Sequence, residues 1–141
     1  MTTDLERRMN DYLAAWNSHD VGRILSFFTD DVVYEDVAIG KVNRGKKEVK
    51  DFIGSMVVDF PDFKFEMKSG FNAGDWSAGE WVMSGTFAHS SIPGLPATGK
   101  TFSVRGASIT QLRKGKISRN SDYWNLTSFL QQVGLMPPPP K

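Results

Sequence analysis

The amino-acid sequence predicts an α+β domain: a cone-shaped barrel in which a strongly curved, mostly antiparallel sheet wraps over N-terminal helices. Three observations predict it. Apolar residues keep mainly a helical period as far as Pro61 and a period of two beyond it. Short turn signals separate the later segments, which joins them as an antiparallel meander with helices gathered on one side. Gly70, Gly79, Gly85 and Gly106 are spread among long strands, where they permit strong bending at bulges.

Leu5, Met9, Tyr12, Leu13 and Trp16 form one apolar stripe and define the first helix, with Thr3 and Glu6 as a capping box. Asp20 is placed to N-cap a short second helix carrying Ile24, Leu25 and Phe28. Val32 to Val37 reads as a strand. Val49, Phe52, Ile53, Met56, Val57 and Phe60 then keep a helical period that Pro61 stops.

After Pro61, Phe63, Phe65 and Met67 alternate with Lys64, Glu66 and Lys68. Asn72 to Asp75 is a turn signal. Trp81, Met83, Gly85, Phe87 and His89 share one face of the next strand. Ser91 to Lys100 is a loop rich in Pro and Gly, and Phe102 to Leu112 is a long strand. Arg113 to Lys116 forms a hairpin turn, Ile117 to Trp124 the last strand, and Thr127 to Val133 a short closing helix. Residues 1–136 form a single domain, and 137–141 an extended Pro-rich tail.

The 141-residue chain is long enough to bury a core without staples, and it has no cysteine. Disulfides, thiolate metal sites and a cysteine nucleophile are thereby excluded. Seventeen Lys and Arg against sixteen Asp and Glu leave a net charge of +1, a poor match for nucleic acid or an anionic membrane. The start shows no signal-peptide pattern and no apolar run is long enough to span a bilayer, so the expectation is a cytoplasmic protein. Four Trp and ten Phe suit an aromatic core or an apolar pocket. The two histidines are not at metal-ligand spacing, and no phosphate-binding glycine motif or serine nucleophile elbow is present.

The strings DDVVYEDVAIGKVNRGKKEVKDFI and GTFAHSSIPGLPATGKTFSVRGASITQLRKGKISRNSDYWN carry a resemblance to the SnoaL-like polyketide cyclases and their nuclear transport factor 2-like relatives. It spans roughly residues 5 to 135. The resemblance implies a cofactor-independent cyclase or isomerase acting on a hydrophobic, polyketide-like carbonyl compound. It also implies a homodimer. A non-catalytic binder of the same fold is the alternative, and an epoxide-hydrolase-like or hydroxylation-related relative the third reading.

Asp122 in NSDYW matches the position of the family's general acid/base aspartate. On its strand it shares a face with Asn120 and Trp124. Apolar walls would raise its pKa toward a useful value. Arg105, mid-strand in SVRGAS, either faces the cavity to bind an anion or lies outside, paired across the sheet. The cyclases place a histidine and a glutamine on this strand, whereas here it carries Arg105, Ala107 and Ser108, with Gln111 the first glutamine.

Tyr34 and Asp36 share a face of the first strand. Tyr34 is either a donor to a substrate oxygen or core, and Asp36 either a second base or the start of a turn. His89 is either a pocket-mouth residue or a plain rim histidine, while His19 in NSHD suits a cap or surface turn. Trp16, Phe60, Trp81, Phe87 and Trp124 are candidate pocket walls for a flat apolar substrate.

Overall fold

The computed structural model describes residues 4–140, without the Leu5 side chain. The Thr3–Glu6 capping box, the Leu5 side chain and Lys141 lie outside the described residues. The elements are α1 (Asp4–Ser18), α2 (Val21–Leu25), β1 (Phe28–Asp36), β2 (Lys41–Arg44), α3 (Gly45–Asp59), β3 (Lys64–Ala73), β4 (Trp76–Thr86), β5 (Thr101–Arg113), β6 (Lys116–Trp124) and α4 (Leu126–Gln132). The six strands form one mixed sheet in the order β2-β1-β6-β5-β4-β3. Among the described residues β1 and β6 pair in parallel, and the other neighbouring strands pair antiparallel.

Local chemistry sets the helix ends. The Asp20 carboxylate accepts from the Arg23 amide (3.1 Å) and caps α2, a bond worth about 1 kcal/mol. Glu48 reaches back to the Arg44 amide (2.9 Å) at the start of α3, the returning half of a capping box. Asn125 caps α4 by accepting from the Ser128 amide.

Three expectations are corrected. Phe28 does not belong to α2: the helix closes at Leu25, and the Ile117 amide donates to the Phe27 carbonyl, which draws the chain into β1 earlier than Val32. A short strand, β2, follows the Asp36 turn; its four residues are too few to show a period in the sequence. The sheet shifts register between Phe28 and Val33, between Met67 and Ser69, and between Gln111 and Leu112. Of the four glycines, Gly70 and its cross-strand partner Gly79 lie beside such a shift, and Gly85 and Gly106 do not. Gly106 serves a different purpose: a Cβ there would stand 2.3 Å from the Trp81 ring, so glycine is what lets that indole lie across β5.

The sheet curls over the helices. At one edge Asn17 of α1 bonds both backbone groups of Phe65 in β3 (3.0 and 2.8 Å), and near the other edge α3 packs on β1 and β2. The apolar core is continuous from Ala15, Ile24, Phe28 and Val32 through Val49 and Ile53 to Phe63, Phe102, Ile117 and Phe129. Pro137–Pro140 runs exposed without secondary structure. Among the described residues no helix is long and apolar enough to cross a membrane.

Candidate active site

All six strands, together with α1, α3 and α4, contribute side chains to one cavity of about 830 Å³. A volume of this order suits a drug-sized ligand. Alternation along each strand decides what enters it. On β6, Asn120, Asp122 and Trp124 face inward; on β5, Phe102, Val104, Ser108 and Thr110; on β4, Ser77, Gly79, Trp81 and Met83; on β1, Tyr34 and Asp36.

Asp122 is the hub of a directed hydrogen-bond network. Its Oδ1 accepts from Ser108 Oγ (2.6 Å) and Asn120 Nδ2 (2.7 Å), and its Oδ2 accepts from the Tyr34 hydroxyl. The donors are themselves oriented from behind. Trp81 Nε1, which can only donate, bonds Ser108 Oγ (2.8 Å), so the single Ser108 proton is left for Asp122. Thr110 Oγ1 donates to Asn120 Oδ1 (2.8 Å), which turns the Asn120 amide nitrogens toward the carboxylate. Tyr34, Thr110 and Asn120 are buried, so the network is rigid as well as satisfied. Burial pushes the Asp122 pKa up, against the lowering pull of Ser108, Tyr34 and Asn120. Burial, reinforced by the Asp122 charge, also drives the Tyr34 phenol well above its ordinary value. Tyr34 therefore acts as a neutral donor.

Asp36 lies opposite Asp122 in the β1–β6 register. It is 7% exposed, and its Oδ1 accepts from Trp124 Nε1 (2.9 Å) and from the Ile39 amide (3.3 Å). It is thus both a turn residue and a cavity residue. Burial raises its pKa to about 6, with the Trp124 bond opposing. Asn43 of β2 donates to the Tyr34 carbonyl (3.3 Å) and fixes this end of β1.

Trp16, Phe60, Trp81, Phe87, Asn120 and Trp124 all line the cavity. Two expected residues do not. Arg105 occupies an odd position on β5, opposite in parity to the inward set. Its side chain is 86% exposed and lies 3.9 Å from Glu80 on the outer face. It therefore cannot pair with Asp122, and among the described residues no arginine lines the cavity wall. His89 is exposed and also lies off the wall, because β4 ends at Thr86. There the Asp62 carboxylate takes the Thr86 amide and hydroxyl, and the Ala88 and His89 amides turn onto the Asp59 carbonyl, breaking the alternation. His19 sits at the α1–α2 turn with φ 61°, donates to the Phe63 carbonyl (2.8 Å) and stacks on the Phe63 ring.

Ser108, Thr110 and Tyr12 are cavity residues that sequence reasoning left aside. Ser108 and Thr110 carry a visible signal, since they share strand parity with Phe102 and Val104. Among the described residues no group of His, Asp and Glu is arranged to hold a metal ion.

A family model described as SnoaL-like polyketide cyclase matches residues 6–133. Cyclase aurE of Calcarisporium arbuscula is 30% identical over 121 residues, covering 84% of this chain and 85% of that protein. Among solved structures, a protein with a ketosteroid isomerase-like fold from Catenulispora acidiphila, in complex with trimethylamine, matches with a TM-score of 0.80 and 23% identity over 96% of both chains. AclR, a candidate hydroxylase from Streptomyces galilaeus, matches with a TM-score of 0.83 and 21% identity, over 100% of this chain and 91% of its own.

Proposed function

The chain belongs to the SnoaL-like polyketide cyclase family, and from that premise we propose that it closes or isomerises a hydrophobic, polyketide-like carbonyl compound with Asp122 as general acid/base and no cofactor. The observation that carries this reading is the Asp122 carboxylate, held at the wall of an apolar cavity by three side-chain donors.

In the ring-closing form, Asp122 takes a proton from the carbon alpha to a carbonyl. The enolate carbon then forms a bond to a second carbonyl carbon, and the alkoxide so formed takes the proton back from Asp122. Protonation at Oδ2 also frees Tyr34: the new carboxyl O–H donates to the phenol oxygen, and the phenol proton turns to the substrate oxygen. Charge leaving the carboxylate is thus met by a donor at the enolate. Trp16, Phe60, Trp81, Phe87 and Trp124 would hold the apolar body, and Asp36 and Asn120 its polar edge.

The outer face of the sheet exposes Phe71, Trp76, Ile109 and Tyr123. We propose that a second copy of the chain covers it as a homodimer; sedimentation as a monomer at high concentration would contradict this.

The catalytic test uses 2-tetralone, a flat bicyclic ketone with acidic alpha protons, in D2O. Wild type is expected to speed deuterium uptake alpha to the ketone, and Asp122→Asn to lose about 10²- to 10⁴-fold of that rate with ketone binding intact. Equal rates for the two proteins, or a wild-type rate no faster than buffer, would remove Asp122 from the chemistry.

A further inference from the structure

Carboxylates outnumber cations along the cavity among the described residues. Asp36, Asp122 and Asp59 line its wall, with Glu48 and Asp51 of α3 nearer the exposed rim, whereas Lys41 is the single cationic side chain there among the described residues. Lys41 itself is exposed. Among the described residues no Lys, Arg or His forms an ion pair with Asp36, Asp59 or Asp122. Arg105, the cation nearest in sequence pattern, is spent on the opposite face with Glu80.

Neutral donors hold these charges without cancelling them. Asp122 receives a hydroxyl, a phenol and an amide; Asp36 receives an indole and a backbone amide; Asp59 receives the Ser91 amide and hydroxyl (3.0 and 2.8 Å). Buried charge is ordinarily balanced by an opposite charge. Around the same space the rings of Trp16, Tyr34 and Phe52 lie within 6.3 Å of their neighbours, and ring faces attract cations.

From this arrangement we propose that the cavity is a charge filter: it takes neutral ligands, prefers apolar ligands that carry a protonated amine, and rejects those that carry a free carboxylate, with Asp36 as the specificity-determining residue opposite Asp122. This inference rests on the cavity's being the substrate site. It concerns binding, so it stands or falls apart from the Asp122 proton-transfer step.

Three naphthalene probes of nearly equal size test it by isothermal titration calorimetry at pH 7.5: 2-naphthylmethylamine, which is cationic, 2-naphthalenemethanol, which is neutral, and 2-naphthoate. The ammonium is expected to bind at least about tenfold tighter than the carboxylate, with the alcohol between them. Asp36→Asn keeps an acceptor for Trp124 and is expected to shrink that ratio several-fold. Arg105→Ala alters net charge by one unit on the outer face and is expected to leave the ratio unchanged, which separates local charge from the field of the whole protein. Naphthoate binding as tightly as the alcohol, no detectable ammonium binding at millimolar concentration, or an Asp36→Asn ratio equal to that of wild type would each overturn the proposal.

Discussion

The two faces of β5 and β6 are built from alternate residues of the same strands, yet their polar groups behave oppositely. Inward, Ser108 and Asn120 both donate to Asp122, Ser108 held by the Trp81 N–H and Asn120 by the Thr110 hydroxyl. Outward, Arg105 faces Glu80 at 3.9 Å, with both side chains mostly in water. The inner network works in a low-dielectric space where an unmade bond is costly; the outer pair is screened and contributes little. A charged residue in mid-strand thus signals chemistry only on the enclosed face.

The widest break in this contrast is expected at Gly106. Gly106→Val would drive its side chain into the Trp81 indole, displacing the donor that orients Ser108. A loss on the order of 3 kcal/mol in chemical denaturation is expected, with the deuterium-exchange activity falling too. A folded variant of unchanged stability would show that the close approach is dispensable.

Next comes Asp36. Its pKa is raised in the folded state, so between about pH 4 and pH 6 the native protein binds the proton that the unfolded chain has already released. Stability from this residue therefore falls as pH rises through 6. Asp36→Asn is expected to be more stable than wild type at pH 8, on the order of 2 kcal/mol, with the gain fading toward pH 4. A gain that is flat with pH would assign the effect to packing instead.

Ser108→Ala is expected to cost about 1 to 2 kcal/mol, because it leaves the Trp81 N–H without its acceptor. Ser108 is a positioning residue. Losing its bond removes a pull that lowers the Asp122 pKa, so the acid limb of the pH–rate profile should move to higher pH. A lower rate with an unmoved profile would make the role merely structural. Smallest of all, Arg105→Ala should change stability by no more than about 0.5 kcal/mol and leave exchange activity as it was.

Much of the fold was legible because the periods are clean. Met9 to Trp16 reads as helix, Phe65 to Met67 as strand, and Asp20 as a cap, all from local chemistry. What stayed hidden depends on the sign of a face or on long-range contacts. Alternation groups Asn120, Asp122 and Trp124, yet it gives Arg105 the same regularity without saying which side of β5 is enclosed. His89 leaves the strand's face because β4 ends at Thr86, where the Ala88 and His89 amides turn onto the Asp59 carbonyl. Ser108 looked like a departure from the family pattern, and only the position of Trp81 reveals its orientation.

The ionisation of Asp122 itself is open to direct view. With aspartate carboxyl carbons labelled and the resonance assigned by its loss in Asp122→Asn, a carbon NMR titration should show Asp122 taking up its proton above the ordinary aspartate range, and higher still in Ser108→Ala. A midpoint at or below that ordinary range, unmoved by Ser108→Ala, would mean that water reaches the carboxylate freely and would contradict an enclosed base at this wall.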